Sequence, residues 1–458
     1  MERSKQLGEG KVLNLLLKFS IPAMVGMLVN ALYSVIDRAF VGHSVGQLGL
    51  AGVTLTFPVM LILMACMMLI GLGANSLVSI RLGQGNRQEA EHILGNAFML
   101  LIVISLVLTA LGLIFLTPII KLLGASSEVL PYARDFLQII LIGVIFQGIG
   151  FGMNNFIRGE GNPKVAMMTM LVGAVLNIIL CWLFIMIFGW GIKGSALATI
   201  ISQGVSAAWV LNYFFSGKST LKIHLKNLKP DQVVIKSILG LGSAPFALQL
   251  AASLVNFILN WRLKVYGGDV AIAGMGIVTS ILTLIMMPIF GINQGVQPII
   301  GYNYGAKNFD RVKEALKLAI IGATAIVCVG FGVVQLIPRQ IVHIFNNDDT
   351  QLIEFSIYAL RAFLIFLPVI GFQIISANYF QAIGKAKQSA FLSLSRQIIL
   401  LIPAVLILPL FFGLHGVVFA GPVADLGASL LTGFWIWREL RRLEDKHERH
   451  LATKLQPE

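Results

Sequence analysis

Long apolar runs separated by short polar segments recur along the whole chain. A helix needs about 20 apolar residues to cross the hydrocarbon core of a bilayer. Several runs exceed that length, so we expect tilted or bent helices, with prolines within or near the runs as candidate bends. The pattern therefore predicts an all-α integral membrane protein with about twelve transmembrane helices. The predicted spans cover residues 13–41, 48–72, 93–118, 130–157, 165–189, 194–216, 235–265, 270–293, 316–344, 355–382, 390–412 and 416–438.

Composition supports lipid as the main solvent. Of the 458 residues, 57% are hydrophobic and 12% are charged, and the mean hydropathy is +0.85. Soluble proteins carry about 25% charged residues, so a soluble multidomain enzyme is excluded. The net charge of +13 lies in short loops between apolar runs, where it indicates membrane topology rather than a nucleic-acid partner.

The distribution of Lys and Arg predicts the orientation in the membrane. With the amino terminus inside, the inner loops and termini hold 24 of the 34 basic residues, and the outer loops hold five. Basic residues concentrate on the cytoplasmic side of membrane proteins. We therefore predict a multi-pass protein of the plasma (inner) membrane with both termini in the cytoplasm.

The two halves of the chain resemble each other. A shift of about 220–223 residues aligns Pro22 with Pro245 and three further loop segments in order: 82–87 with 303–307, 161–164 with 384–387, and 191–194 with 413–416. Six spans per half make the repeat parallel, an arrangement in which the substrate site lies between the halves and the halves rock.

The repeat also predicts the domain organisation. A basic segment at 216–234 joins the halves and is the longest inner loop. The first half is predicted at 1–215 and the second at 235–440, followed by a charged cytoplasmic tail at 441–458.

Three inner-loop motifs resemble those of multidrug and toxic-compound extrusion (MATE) transporters. They are the segment 81–86 (RLGQGN) followed by Glu89-Ala90, the segment 297–306 (QPIIGYNYGA), and the segment 158–164 (RGEGNPK). The resemblance covers nearly the whole chain and looks closest to the DinF-like bacterial branch. It implies a V-shaped pair of six-helix halves and ion-coupled export of drugs or toxic compounds.

Acidic residues within spans are rare, because charge at membrane depth is costly and commonly functional. Asp37 and Asp425 are the two clear examples. Asn30 and Tyr33 precede Asp37 by about two turns and one turn, so the three share one helix face. Asp37 either lines a cavity as a cation-coupled carboxylate or pairs locally with Arg38. The resemblance implies the coupling role.

Polar residues in the fourth to sixth spans offer a second set of candidates. Asn154, Asn177, Cys181, Thr199 and Gln203 fit either ordinary hydrogen bonds between helices or a cavity lining. The resemblance implies that Tyr33, Asn154, Asn177 and Thr199 join Asp37 in a polar cluster.

The coupling ion depends on Cys181, because many family members have a second Asp at this position. Hard cations prefer oxygen ligands, whereas a buried carboxylate alone can bind and release a proton. We therefore predict proton coupling, with sodium held by Asp37, Asn177 and Thr199 as the alternative.

The second half has fewer candidates. Ser253 stands near a position where some family members carry a Glu in the seventh span, and Asp425 lies within the last span. We predict a structural ion pair of Asp425 with Arg361 or Arg396, and keep Asp425 and Arg361 as second-half site candidates.

These observations favour secondary-active export of amphipathic cationic compounds by proton antiport with alternating access. No phosphate-binding loop with Lys-Ser/Thr is present, so an ion gradient must supply the energy. A flippase for lipid-linked precursors and a passive channel remain alternatives. We predict no enzymatic activity, no cofactor and no bound metal other than the alternative sodium. The expected partners are small amphipathic substrates and membrane lipids, with the protein acting as a monomer.

Overall fold

Helices account for nearly all of the described chain, and most of them are apolar, as the hydropathy pattern predicts. The computed structural model describes residues 2–345 and 349–455, and no strand occurs among them. The prediction of an all-α membrane protein with two related halves is confirmed. The helices of the first half are α1 Glu2–Glu9, α2 Val12–Gly83, α3 Arg87–Ile114, α4 Leu116–Leu122, α5 Leu130–Ile142, α6 Val144–Gln147, α7 Met153–Gly159, α8 Pro163–Cys181 and α9 Gly191–Phe215.

The second half repeats this order with longer continuous elements. Its helices are α10 Gln232–Gly305, α11 Phe309–Leu336, α12 Pro338–His343, α13 Thr350–Phe363, α14 Leu367–Ala382, α15 Ala386–Leu394 and α16 Ile402–Leu455. Wider π-helical turns occupy Gly148–Gly152, Trp182–Ile187 and Ser395–Leu401, and a 3₁₀ turn occupies Leu225–Leu228.

Glycines divide the longest helices into separate crossings. Within the described residues, eight helices are long and apolar enough to cross a membrane, or up to ten when two bent pairs each count as one. Helix α10 has 74 residues, about 110 Å at 1.5 Å per residue, far more than one crossing. Gly268 in α10 and Gly413 in α16 have positive φ and non-helical ψ. Division at these two glycines gives twelve crossings, the predicted number.

Several predicted bounds differ from the structure. Helix α11 ends at Leu336, whereas the hydropathy pattern extends the ninth span to residue 344. Pro338 begins the next helix, α12, because proline has no N–H with which to continue α11. Conversely, the second and eighth spans continue as helix to Gly83 and Gly305, past the apolar runs that marked them.

Two spans are bent, and their bends correspond in the two halves. The fourth span bends by 52° between α5 and α6, and the tenth bends by 52° between α13 and α14. Pro368 lies in the first turn of α14, next to the second bend. The first bend has Gly143 instead of a proline, so the prediction that prolines mark the bends holds for only one of them.

Backbone conformation supports the internal repeat independently of sequence identity. Gly46 and Gly268 have φ of 75° and 64°, and Gly191 and Gly413 have φ of 55° and 56°. Both pairs are 222 residues apart in the chain. Positive φ is accessible to glycine without steric cost. The chain therefore reverses direction at corresponding glycines in the two halves.

Contacts within the chain define two compact units. Unit 1 comprises Met1–Glu9 and Val25–Phe246, and unit 2 comprises Gly10–Met24 and Ala247–Glu458. The predicted bounds of the halves, 1–215 and 235–440, stay predictions.

The basic segment 216–234 is anchored to unit 1. Asn96 in α3 donates from Nδ2 to the carbonyl of Asn227 at 3.2 Å, and its Oδ1 accepts from the N–H of Asp231 at 2.9 Å. A Cβ at Gly95 would lie 2.6 Å from the same carbonyl, so glycine permits this close approach. The segment is therefore packed structure rather than a free linker.

Candidate functional site

Asp37, the acidic residue singled out in the first span, accepts hydrogen bonds from two other helices of unit 1. Its Oδ1 lies 2.7 Å from the Ser195 hydroxyl and 3.1 Å from the Cys181 thiol. Both partners are fully buried, whereas Asp37 is partly exposed. Among the described residues, none donates a hydrogen bond to Oδ2. One carboxylate oxygen is thus held by the protein, and the other is available to a proton or a cation.

The partners of Asp37 are themselves linked into a closed ring of contacts. Cys181 Sγ lies 3.6 Å from Asn177 Oδ1, and Asn177 Nδ2 donates to Thr199 Oγ1 at 3.3 Å. The Thr199 hydroxyl donates to the backbone carbonyl of Ser195 at 3.0 Å. We call Asp37, Asn177, Cys181, Ser195 and Thr199 the carboxylate ring. A single thiol proton serves one acceptor at a time, and the shorter contact favours Asp37.

The backbone around the ring explains how α8 and α9 bring these side chains together. Cys181 is the last residue of α8, immediately before the π-helical turn Trp182–Ile187. A Cβ at Gly194 would lie 3.1 Å from backbone and side-chain atoms of Phe184 in that turn. Glycine therefore allows the start of α9 to approach the turn closely, next to Ser195. Single π turns of this kind are frequent at functional sites.

The other candidates on α2 and α9 extend from the ring along their own helices. Tyr33 and Asn30 lie on α2 about one and two turns before Asp37, and they are partly exposed and exposed. Gln203 lies one turn after Thr199 on α9 and is partly exposed. Their spacing keeps them on the faces that carry the ring residues.

Asn154 is placed outside the ring. Its Nδ2 donates to the carbonyl of Ala166 at 2.9 Å and to the hydroxyl of Thr169, both near the start of α8. Thr169 precedes Asn177 by eight residues, about 12 Å along a helix. Asn154 therefore joins α7 to α8 at a different level from the carboxylate ring, which brings Asp37, Asn177 and Thr199 together.

The second unit contains a buried ion pair instead of an open carboxylate. Arg396 Nε lies 2.6 Å from Asp425 Oδ1, and the two side chains are 18% and 2% exposed. Arg361 contacts neither, because its Nη2 donates to the carbonyl of Gln335 at 3.1 Å. Of the two predicted partners of Asp425, the structure has Arg396, and Arg361 lies apart from the pair.

Two contacts were not anticipated from the sequence. Ser195 supplies the shortest hydrogen bond to Asp37, and its only sequence signal is its place one turn before Thr199 on the same helix. Asp135 in α5 forms an ion pair with Lys193 at 3.2 Å.

Chemically, the carboxylate ring has one acidic group, Asp37, surrounded by amide, hydroxyl and thiol donors and acceptors. Protonation of Asp37 would neutralise the only carboxylate of the ring. A cation would find oxygens on Asp37, Asn177, Ser195 and Thr199, but no second carboxylate among the described ring contacts. Within the described residues, no group of three or more His, Cys, Asp or Glu side chains is placed to hold a metal ion.

Known families and proteins resemble this chain over most of its length. The MatE family model matches residues 22–183 and 245–407, which correspond to the two repeats. The protein named multidrug export protein MepA from Staphylococcus haemolyticus (strain JCSC1435) is 27% identical over 435 residues, 95% of each chain. Its namesake from Staphylococcus aureus (strain NCTC 8325 / PS 47) is 28% identical over 414 residues, 90% of this chain and 91% of that one.

Solved structures of similar fold match this chain over an equally large share of its length. A MATE protein crystallised in complex with MaL6 has a TM-score of 0.92 and 26% identity, covering 97% of this chain and all of that one. A transporter of the MOP superfamily from Pyrococcus furiosus, described as having a binding pocket of reversed polarity, has a TM-score of 0.91 and 26% identity, covering 97% and 99% of the two chains.

Proposed function

Because the chain belongs to the MatE family, we propose that it exports amphipathic cationic compounds across the plasma membrane in exchange for protons. Relatives named as multidrug export proteins match nearly the full length of this chain, and that coverage supports the same task here. The chain is a transporter rather than an enzyme. Assignment to the DinF-like branch stays a prediction.

The observation that carries the proposal is the half-satisfied carboxylate of Asp37. Ser195 and Cys181 orient Oδ1, and Oδ2 has no donor among the described residues. An oriented carboxylate with a free oxygen can bind either a proton or a cationic group. When the site faces the two sides of the membrane alternately and reorients only when occupied, competition between the two makes import of a proton drive export of a cation.

The ring favours the proton over sodium. A sodium ion needs several oxygen ligands, and hard cations are bound most tightly where carboxylates are numerous. Here a thiol occupies the position at which a second carboxylate would complete such a site, and that thiol lies against Asp37. Sodium held by Asp37, Asn177 and Thr199 is the alternative that the experiment below separates.

Protonation would also alter how the first span is held. Hydrogen bonds to an ionised acceptor are roughly twice as strong as those between neutral groups. A proton on Asp37 would therefore weaken its attachment to Cys181 in α8 and Ser195 in α9 together. We propose that this loosening is the step through which proton binding biases alternating access of the transporter.

Efflux from proteoliposomes tests the proposed function. The purified protein is reconstituted with ethidium inside and a higher ethidium concentration outside, first under a proton gradient without sodium and then under a sodium gradient at clamped pH. We expect ethidium export against its gradient in the first condition and little in the second. A passive channel would only dissipate the ethidium gradient, and a lipid flippase would leave ethidium in place.

Two variants make the test specific for the ring. Asp37→Asn keeps the shape of the side chain but cannot carry the charge, so we expect export under the proton gradient to fall to the protein-free background. Asp135→Asn removes a carboxylate paired with Lys193 outside the ring, so it should export as the wild type does. Wild-type export by Asp37→Asn would disprove the coupling role.

A further inference from the structure

Unit 2 has a groove to which the proposed export function assigns no role. It has a volume of about 840 Å³ and lies between α11, α13 and α16. Phe331 and Gln335 line it from α11, Arg361 and Ile365 from α13 and the bend that follows, and Phe419 from α16. The carboxylate ring belongs to unit 1, so this groove is a separate feature.

The groove lies at one boundary of the membrane. Gln335 is the penultimate residue of α11, which is about 42 Å long and so reaches the face opposite to its start. Gln335 and Arg361 exchange hydrogen bonds through side chains and carbonyls, both at 3.1 Å. From Arg361 to Ala382 the tenth span continues for about 31 Å along its bent path, close to the thickness of the hydrocarbon core. Arg361 therefore lies where that core ends.

Three helices show the same order of polarity across this boundary. Gln335, Arg361 and His415 lie near the membrane boundary, and His415 Nδ1 is 2.6 Å from the Tyr358 hydroxyl in the groove. Phe331, Ile365 and Phe419 lie four residues, one helical turn, deeper on α11, α13 with its bend, and α16 respectively. The groove thus has an apolar floor within the core and a polar mouth at its edge.

The two charged side chains at the mouth, Arg361 and Glu354, lie at different distances from the membrane core. Arg361 forms no ion pair with any described carboxylate, and Glu354 forms none with any described cation. Both side chains are exposed and line the groove. Glu354 lies seven residues before Arg361 on α13, about 10 Å farther from the core. A ligand fitted to this mouth has its anionic group near the core and its cationic group outside it.

We propose that the groove binds a zwitterionic phospholipid from the leaflet opposite to the two termini. In such a lipid the phosphate adjoins the glycerol and the ammonium group is terminal, which is the order of charge that Arg361 and Glu354 complement. Guanidinium groups bind phosphate through paired hydrogen bonds. An acyl chain lies against Phe331, Ile365 and Phe419.

Native mass spectrometry of the detergent-purified protein tests the assignment. The probes are phosphatidylethanolamine and phosphatidylglycerol with identical acyl chains, titrated separately. We expect the wild type to bind phosphatidylethanolamine more tightly than phosphatidylglycerol, because Glu354 repels a headgroup that has no cation. Arg361→Gln should weaken binding of phosphatidylethanolamine at least about tenfold, the effect of losing a charge-assisted pair.

Two further variants keep the test decisive. Arg339→Gln alters an exposed arginine of α12 that does not line the groove, and it should bind both lipids as the wild type does. Glu354→Gln changes an exposed side chain and should abolish the preference for phosphatidylethanolamine while retaining the phosphate contact. Equal binding of both lipids by the wild type, or equal losses in Arg361→Gln and Arg339→Gln, would overturn the proposal.

Discussion

We propose that the choice of coupling ion depends on Cys181. Its thiol lies 3.1 Å from Asp37 and 3.6 Å from Asn177, so it occupies the gap between the acid and the amide of the ring. A thiol in this place donates a proton to the carboxylate but offers no hard oxygen to a cation. The residue thereby preserves a single-charge site that one proton can neutralise.

Replacement of Cys181 should change the ion preference in a defined direction. Cys181→Asp adds a second carboxylate next to Asp37, and we expect sodium-driven ethidium export in proteoliposomes to rise at least about fivefold. Each carboxylate also favours the protonated form of the other, so the pH at which proton-driven export is half-maximal should move upward.

The matched control is Cys181→Ser, which keeps a donor at the same position without a charge. It should retain proton-driven export and show no gain with sodium. If Cys181→Ser gains as much sodium-driven export as Cys181→Asp, size rather than charge at this position sets the preference.

Side-chain chemistry within the ring was only partly readable from the sequence. Asp37, Asn177, Cys181 and Thr199 are polar positions in apolar helices, and such positions are few enough to be noticed. Ser195 was missed because serine at the start of a span is ordinary and its partner is 158 positions away in the chain. Helix rotation and the π turn after Cys181 determine that contact, and hydropathy reports neither.

At the scale of elements, the segment between the halves is held by a buried carboxylate. Glu160 Oε2 accepts hydrogen bonds from the Ser219 hydroxyl at 2.7 Å, from the Thr220 N–H and hydroxyl at 3.0 and 2.9 Å, and from the Leu221 N–H at 3.3 Å. Its Oε1 accepts from the hydroxyl of Tyr213. Glu160 is fully buried, so it ties the end of α9 and the following segment to the loop after α7.

The far end of the same segment is fixed by Asp231. Its Oδ1 accepts from the N–H groups of Val233 at 2.8 Å and Val234 at 3.4 Å. These two backbone bonds, with His92 nearby, hold the pKa of the Asp231 carboxyl below its usual value. Asp231 therefore stays ionised at the start of α10, where a negative charge is favourable.

Removal of the Glu160 carboxylate should release the segment 216–231. In Glu160→Ala, the part-buried N–H and hydroxyl of Thr220 lose their acceptor, a loss of about 1–3 kcal/mol for a buried group left unpaired. Ser219 and Leu221 each lose one hydrogen bond and keep the bonds that join them to each other. We expect trypsin to cleave after Lys218 or Lys222 at least about tenfold faster, because local opening becomes more frequent.

The control for this experiment is Glu128→Ala, which changes an exposed acid of a different loop and should be cleaved at the wild-type rate. Cleavage rates that are equal in the wild type and Glu160→Ala would mean that other contacts, such as those of Asn96 with the segment, hold it without Glu160.

Element order was predictable because twelve apolar runs exceed the length of a span. The bounds of the elements were less predictable, because helices such as α2 and α10 continue into polar sequence where hydropathy gives no signal. The bend at Gly143 was missed because glycine is common throughout this chain, whereas proline marks its positions plainly.

At the scale of the molecule, the two repeats share backbone features, but the acidic residues within their spans have different environments. Each half has its glycine break, its span bent by 52° and its matched family segment. Oδ2 of Asp37 in unit 1 has no donor among the described residues, whereas Asp425 of unit 2 is buried against Arg396. A paired and desolvated carboxylate is a poor exchange site, because separating it from its arginine partner would leave an uncompensated buried charge. We therefore propose that ion coupling takes place in unit 1.

The central claim is that a proton and a cationic substrate compete for Asp37. It is tested most directly by counting protons released when tetraphenylphosphonium is added to the detergent-purified protein in weak buffer with a pH dye. At a pH where Asp37 is protonated, we predict about one proton released per bound cation for the wild type and for Asp135→Asn, and none for Asp37→Asn. Release of as many protons by Asp37→Asn as by the wild type would contradict the account.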